Sequence, residues 1–200
     1  MIIGITGGSG SGKTTVANFL LTNTDSYVIE ADEVFLDLLK DDAFASKIKK
    51  MLPDDLKDNM TYLSIENYMQ TDKEKFKKYH NIIKQKIESK IIENISKNEN
   101  DCKIIVDTFL IDRKKIKEKC DYIISIITPE WQRIQRLMNR DNLKLEDAVK
   151  RIEIQKDLNF YINNSDFTVS NSMDGMEDFE DNFINALQQL FLEEDKRNKR

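Results

Sequence analysis

Two hundred residues leave room for one α/β domain with a buried core and some decoration, and fall short of two domains of ordinary size. With 31 Lys and Arg against 36 Asp and Glu, a net charge of -5 argues against a chain that coats nucleic acid by charge alone and favours a small-molecule partner. Cys102 and Cys120 form no CxxC pair, no basic region precedes the opening apolar run, and no stretch of about 18 apolar residues occurs, so the expectation is a cytoplasmic protein with inert thiols, neither exported nor membrane-spanning.

The chain opens on "MIIGIT", an apolar strand, followed at residues 7–15 by "GGSGSGKTT". Gly7, four residues, then Gly12, Lys13 and Thr14 fit the phosphate-loop pattern. Glycines let the backbone turn tightly and aim several N–H groups at one point, where a phosphate chain can sit at the start of the next helix. The candidate nucleotide-binding residues are therefore Gly7, Gly8, Ser9, Gly10, Ser11, Gly12, Lys13, Thr14 and Thr15. Lys13 can reach the β- and γ-phosphate oxygens of ATP, and the Thr14 hydroxyl can ligate the Mg2+ that bridges them. A helix with Val16, Phe19 and Leu20 on one face completes the strand, loop, helix order.

"SYVIE" (26–30) reads as a second strand, buried on both faces, with Asp32 just past it. Helical sequence runs from about Val34 to Lys97, broken at "MLPDD". Its clearest helix begins with a Thr71 and Glu74 capping-box spacing, and Phe76, Tyr79, Ile83, Ile87, Ile91 and Ile95 form a core stripe. His80, the only histidine, lies at the edge of that stripe and reads as a partly buried structural group before a substrate contact. Further strands are expected in 102–110, 120–127 and 166–171, with Asp107 closing "KIIVD". Thr128 reads as an N-cap before Pro129 and the helix it opens. From Arg133 to Arg151 runs a basic helical hairpin with Leu145, Ala148, Val149 and Ile152 at helical spacing. A mobile lid of this kind excludes water and brings arginines to the phosphates, with Arg140 the first choice and Arg136 the second. The alternative is a solvated face whose arginines pair locally with Glu146 and Asp147. "EEDKRNKR" at the end reads as a frayed tail.

Continuous apolar strands alternating with helices predict an α/β fold: a three-layer parallel sheet of phosphate-loop NTPase type, with a helical substrate-binding insertion and a helical lid. A single kinase domain over 1–200 divides into a core (about 1–33, 100–128 and 164–195), an insertion (about 34–99) and a lid (about 129–163). Asp32 and Asp107 then share the carboxyl-end edge with the loop. Asp32 is expected to orient the acceptor hydroxyl and take its proton, and Asp107 to hold the magnesium shell directly or through water.

Together "ITGGSGSGKTTVA", "VIEADEV", "KYHNIIKQKI", "IIVDTFLID", "CDYIISIITPEWQRIQRLMNRDNLKLEDAVKRIEIQ" and "DFTVSNS" resemble the dephospho-CoA kinase family over most of the chain. The resemblance implies a kinase that phosphorylates the ribose 3′-hydroxyl of dephospho-CoA with ATP and magnesium, the last step of coenzyme A synthesis. It implies that Asp32 is the catalytic aspartate and Arg140 the lid arginine, with His80 and Asp107 on the acceptor side. The chain departs from the family at "YHN", "DTFLID" and "LNFYINNSD". A nucleoside or nucleoside-monophosphate kinase of uridine or cytidylate type shares the loop and is the nearest alternative. A nucleotide-dependent switch is a more distant one, lacking Asn-Lys-x-Asp and Leu-Ser-Gly-Gly.

Overall fold

A computed structural model describes residues 1–23, 26–57, 65, 68–69, 72–98 and 102–172. Its strands are β1 (Ile2–Thr6), β2 (Ser26–Glu30), β3 (Cys102–Val106), β4 (Tyr122–Ile127) and β5 (Phe167–Ser170), paired in parallel in the order β2-β3-β1-β4-β5. Helices α1 (Lys13–Asn23), α2 (Ala31–Leu38), α3 (Asp42–Lys49), α4 (Asp54–Lys57) and α5 (Lys73–Lys97) precede β3 or lie between the first three strands. A 3-10 turn (Leu110–Asp112) and α6 (Lys114–Lys117) connect β3 to β4, and α7 (Glu130–Asp141), α8 (Leu145–Glu153) and α9 (Leu158–Asn163) connect β4 to β5.

Strand residues alternate between two cores because their side chains alternate between the sheet's faces. Ile3, Ile5, Ile104, Val106, Ile124 and Ile126 pack with Val16, Ala17 and Leu20 of α1. Ile105 and Ile123 face the other way, into a larger cluster with Val34 and Phe35 of α2, Phe44 and Ile48 of α3, and Tyr79, Ile83, Ile87, Ile91 and Ile95 of α5. Both faces are covered, as the continuous apolar strands require. Gly4 sits on the second face because a Cβ there would lie 2.8 Å from Leu110 Cδ1 and 3.0 Å from Cys120 Sγ.

Three local expectations change. β2 is an edge strand, and Tyr27 is exposed rather than enclosed, since only one neighbour covers that edge. Pro129 itself is the N-cap of α7, with no side-chain cap, because the Thr128 hydroxyl is turned inward to Ser11 O (3.1 Å) and Asn171 O (2.9 Å). Helix α5 is capped by Asp72, whose carboxylate accepts from the Glu74 and Lys75 amides. Thr71, the residues after 172 and the terminal "EEDKRNKR" lie outside the described residues. Cys102 and Cys120 are half-buried and form no disulfide among the described residues, and burial pushes Cys120 up to about 12, an inert thiol. Among the described residues, no helix is long and apolar enough to cross a membrane.

Candidate active site

Parallel pairing brings all five carboxyl ends to one edge, so each strand delivers its next residues to a common place. β1 delivers the glycine loop, β2 delivers Asp32 in the first turn of α2, β3 delivers Asp107, β4 Thr128 and β5 Asn171. One cavity of about 910 Å³ lies there. Lys13, Thr14, Asp32, Asp107, Arg136 and Arg140 all line it, as do Ser9, Gly10, Gly12, Thr15 and His80. Gly7, Gly8 and Ser11 stand behind that wall and shape it.

Three loop glycines adopt positive φ: Gly7 (140°), Gly10 (78°) and Gly12 (96°). A Cβ on Gly7 would lie 2.3 Å from Ile126 O, so the loop turns directly against β4. Neither the torsion nor the gap admits another residue without strain. Lys13 Nζ donates to Gly7 O (3.0 Å) and Gly8 O (3.1 Å). Burial pulls Lys13 down to about 8, against the opposing charge of Asp32; Arg133 and Arg140 lower it further and Asp107 raises it. Glu30 is held above its usual range by burial first, then by Glu33 and Asp32.

The rest of the hairpin grips the loop from above. Arg133, buried, donates Nε to Ser9 O (2.9 Å) and Nη2 to Gln155 Oε1 (2.8 Å). Gln155 accepts from the Ser9 amide (2.8 Å) and donates to Ser9 Oγ (2.6 Å). Arg136 donates to Gly10 O (3.2 Å) and Asn171 O (3.2 Å), and Asn171 Nδ2 donates to Ser11 O (2.8 Å). Arg133, Gln155, Thr128 and Asn171 were missed as site residues. Arg133, Arg136 and Arg140 recur at helical spacing on α7, a signal that could have found the first; nothing in the pattern around Gln155 distinguishes it.

Arg140 lies in the last turn of α7 and forks onto Asp141 (2.6 and 2.8 Å), which also accepts from Arg151 Nη1 (2.7 Å). Burial alone would raise the Asp141 carboxyl, but bonds and charge from Arg140 and Arg151 outweigh it and hold it below its usual range. The hairpin is therefore only partly a solvated basic face: Arg133 and Arg151 are buried while Arg140 is exposed, and the acid between Arg140 and Arg151 is Asp141, not Glu146 or Asp147. Leu145 is exposed, while Ala148 and Ile152 pack on Leu137.

Just past the strand next to the one that delivers the loop, Asp107 is buried and its carboxylate is held on both oxygens. Oδ1 accepts from the Phe109 amide (2.8 Å), and Oδ2 accepts from Arg113 Nε. Phe76, His80 and Phe109 form an aromatic panel, with ring centroids 4.7 to 5.6 Å apart. Burial, assisted by Arg113, lowers His80 to about 4. His80 is therefore neutral near pH 7 and meets the cavity as a flat ring.

A sequence model described as dephospho-CoA kinase matches residues 1–177. A dephospho-CoA kinase from Fusobacterium nucleatum is 28% identical over 175 residues, covering 86% of this chain and 90% of its own. One from Staphylococcus aureus is 27% identical over 184 residues, covering 88% and 87%. Among solved structures, TT1252 from Thermus thermophilus superposes with a TM-score of 0.73 at 21% identity, over 96% of this chain and 97% of its own. A dephospho-CoA kinase from Campylobacter jejuni gives 0.55 at 24% identity, over 94% and 96%. These structural likenesses establish the fold.

Proposed function

The chain belongs to the dephospho-CoA kinase family, and from that premise we propose how its own residues carry the reaction. It is an ATP-dependent kinase of coenzyme A synthesis, transferring the γ-phosphoryl group to dephospho-CoA. The observation that carries the residue assignment is the single cavity in which Lys13, Asp32 and Arg140 meet from three distant segments.

ATP lies with its phosphates on the glycine loop, displacing Lys13 from the Gly7 and Gly8 carbonyls onto phosphate oxygens. Asp32 faces the same space and accepts the proton of the acceptor's ribose 3′-hydroxyl as that oxygen bonds to phosphorus. The bond to the β-phosphate oxygen breaks, and ADP leaves. Arg140 turns toward the phosphates as α7 to α9 close as a lid, with Arg151 keeping the vacated Asp141 paired. Arg133, Arg136 and Gln155 hold the loop's shape during that closure.

The oxygen donors Thr14 and Asp107 suit magnesium, and no cluster of three or more His, Cys, Asp or Glu forms a metal cage among the described residues. Thr14 would hold the ion together with nucleotide phosphates, and Asp107, already occupied by Arg113 and Phe109, would act through water. Bound there, magnesium would neutralise charge on the transferring phosphate. The reading places the protein in the cytoplasm, where ATP is available, and gives it a small-molecule acceptor with no nucleic-acid or membrane partner.

Asp32→Asn tests it. Turnover on dephospho-CoA should fall by about 10² to 10⁴, while ATP affinity stays within a few-fold. Near-normal turnover would remove Asp32 from the base role. Phosphorylation of uridine or cytidylate with none of dephospho-CoA would favour the nucleoside-kinase reading instead.

A further inference from the structure

Arg113 heads the fully buried side chains among the described residues by volume, at 2% exposure, yet it lines the cavity. Its fork is only partly used. Nε is spent on Asp107 Oδ2, and Nη1 donates to Lys84 O of α5 at 3.3 Å. Nη2 makes no hydrogen bond among the described residues, although every other polar part of the group is held in place. A buried ion pair needed only as filler is replaceable by apolar side chains of similar volume, often with no loss of stability. A guanidinium kept here, with one donor uncommitted beside an open cavity, has something left to bind.

We propose that Arg113 determines acceptor specificity by offering Nη2 to an anionic phosphate oxygen of the acceptor, so that a phosphate-bearing nucleoside is preferred over a bare one. Asp107 fixes the plane of the fork, and the Lys84 carbonyl anchors its far corner to α5. The guanidinium's rigid, planar donor set suits phosphate, whereas a lysine in its place would carry the charge without the fork. The Phe76, His80 and Phe109 panel stands beside it. That juxtaposition, a flat aromatic surface and a directed donor, fits a base and its phosphate together. The proposal rests on the kinase reading, with Asp32 and Lys13 at the transfer end unaffected by it.

Binding of dephospho-CoA, adenosine and ATP should be measured by calorimetry on the wild type, on Arg113→Lys and on Arg113→Gln. In the wild type, dephospho-CoA should bind at least about tenfold more tightly than adenosine, the scale of one charge-assisted hydrogen bond; equal affinities overturn the proposal without any variant. Arg113→Lys can still pair with Asp107, so a purely structural role predicts unchanged affinities, whereas the proposal predicts dephospho-CoA weakened about tenfold with adenosine and ATP unchanged. Should the lysine variant fail to fold, Arg113→Gln keeps an amide donor for Asp107 but carries no charged fork, and should show the same selective loss. Dephospho-CoA affinity within twofold of wild type in either folded variant overturns the proposal. Failure of the wild type to phosphorylate dephospho-CoA at all would instead strike the kinase reading itself.

Discussion

On its glycine-loop side the cavity is lined by Ser9, Gly10, Gly12, Lys13, Thr14 and Thr15, all from one short segment; on the side proposed for the acceptor, the contacts that set the wall join residues 29 apart, such as Arg113 and Lys84. The first end depends on local torsions, the positive φ of Gly7, Gly10 and Gly12, and on the sheet edge they press against. The second depends on a long helix whose apolar stripe must dock before the Lys84 carbonyl can meet Arg113 and before Phe76 and His80 can meet Phe109. Damage to the loop should therefore appear as lost chemistry in a folded protein. Damage to the acceptor wall should appear first as lost stability.

The sharpest way to break that distinction is Lys13→Met. Its expected cost is about 10³ in kcat/KM, the scale of removing one preorganised charge donor, with an unchanged melting temperature; a large fall in Tm would place Lys13 in the structural frame. Ile91→Ala is the counterpart. Ile91 is a fully buried residue of α5, so the change should cost about 2 to 5 kcal/mol of stability by denaturant unfolding, with ATP affinity held in the folded fraction.

A pH series separates the ends again. In the free protein Lys13 sits at about 8, and phosphates favour its charged form. Above pH 8 ATP binding must take up a proton, so its affinity should weaken by up to about tenfold per pH unit, with the uptake visible in calorimetry across buffers. The sign for stability is opposite. The unfolded chain, with Lys near its ordinary 10.5, binds more protons between about 8 and 10.5, so the free protein gains stability as pH rises through that window. His80, lowered to about 4, acts lower: the unfolded chain protonates first, and stability falls as pH drops from 6.5 toward 4. The smallest effect is expected from Gln155→Ala, which removes bonds that bridge Ser9 and Arg133; ATP KM should rise about fivefold, near 1 kcal/mol, with little change for dephospho-CoA.

What the sequence disclosed follows the same division. The loop was legible because torsional demands leave a local signature: glycine where φ is positive, then Lys and Thr at fixed offsets. Asp32 and Asp107 were placed by one rule, that parallel strands share a carboxyl edge. The α5 stripe was legible from its period, and Tyr79, Ile83, Ile87, Ile91 and Ile95 are buried as it required. Arg113 was not legible, because it reads as one more cation in "DRKKIKEK" and its burial depends on Asp107 and on a carbonyl from α5. Gln155 escaped for a related reason, since only the fold of α8 back onto the loop brings it to Ser9. Thr128 was misread because its local context is that of a cap, and the pull of Ser11 O and Asn171 O is tertiary.

The central claim is that one cavity joins the triphosphate on the glycine loop to the ribose hydroxyl of dephospho-CoA. The most direct measurement is mass spectrometry and phosphorus NMR of the products formed from ATP and dephospho-CoA. The account predicts one equivalent of ADP for each acceptor gaining a phosphate, with the new phosphate on the ribose 3′-oxygen. ADP released without a phosphorylated acceptor, or a phosphate placed elsewhere on the molecule, would contradict it.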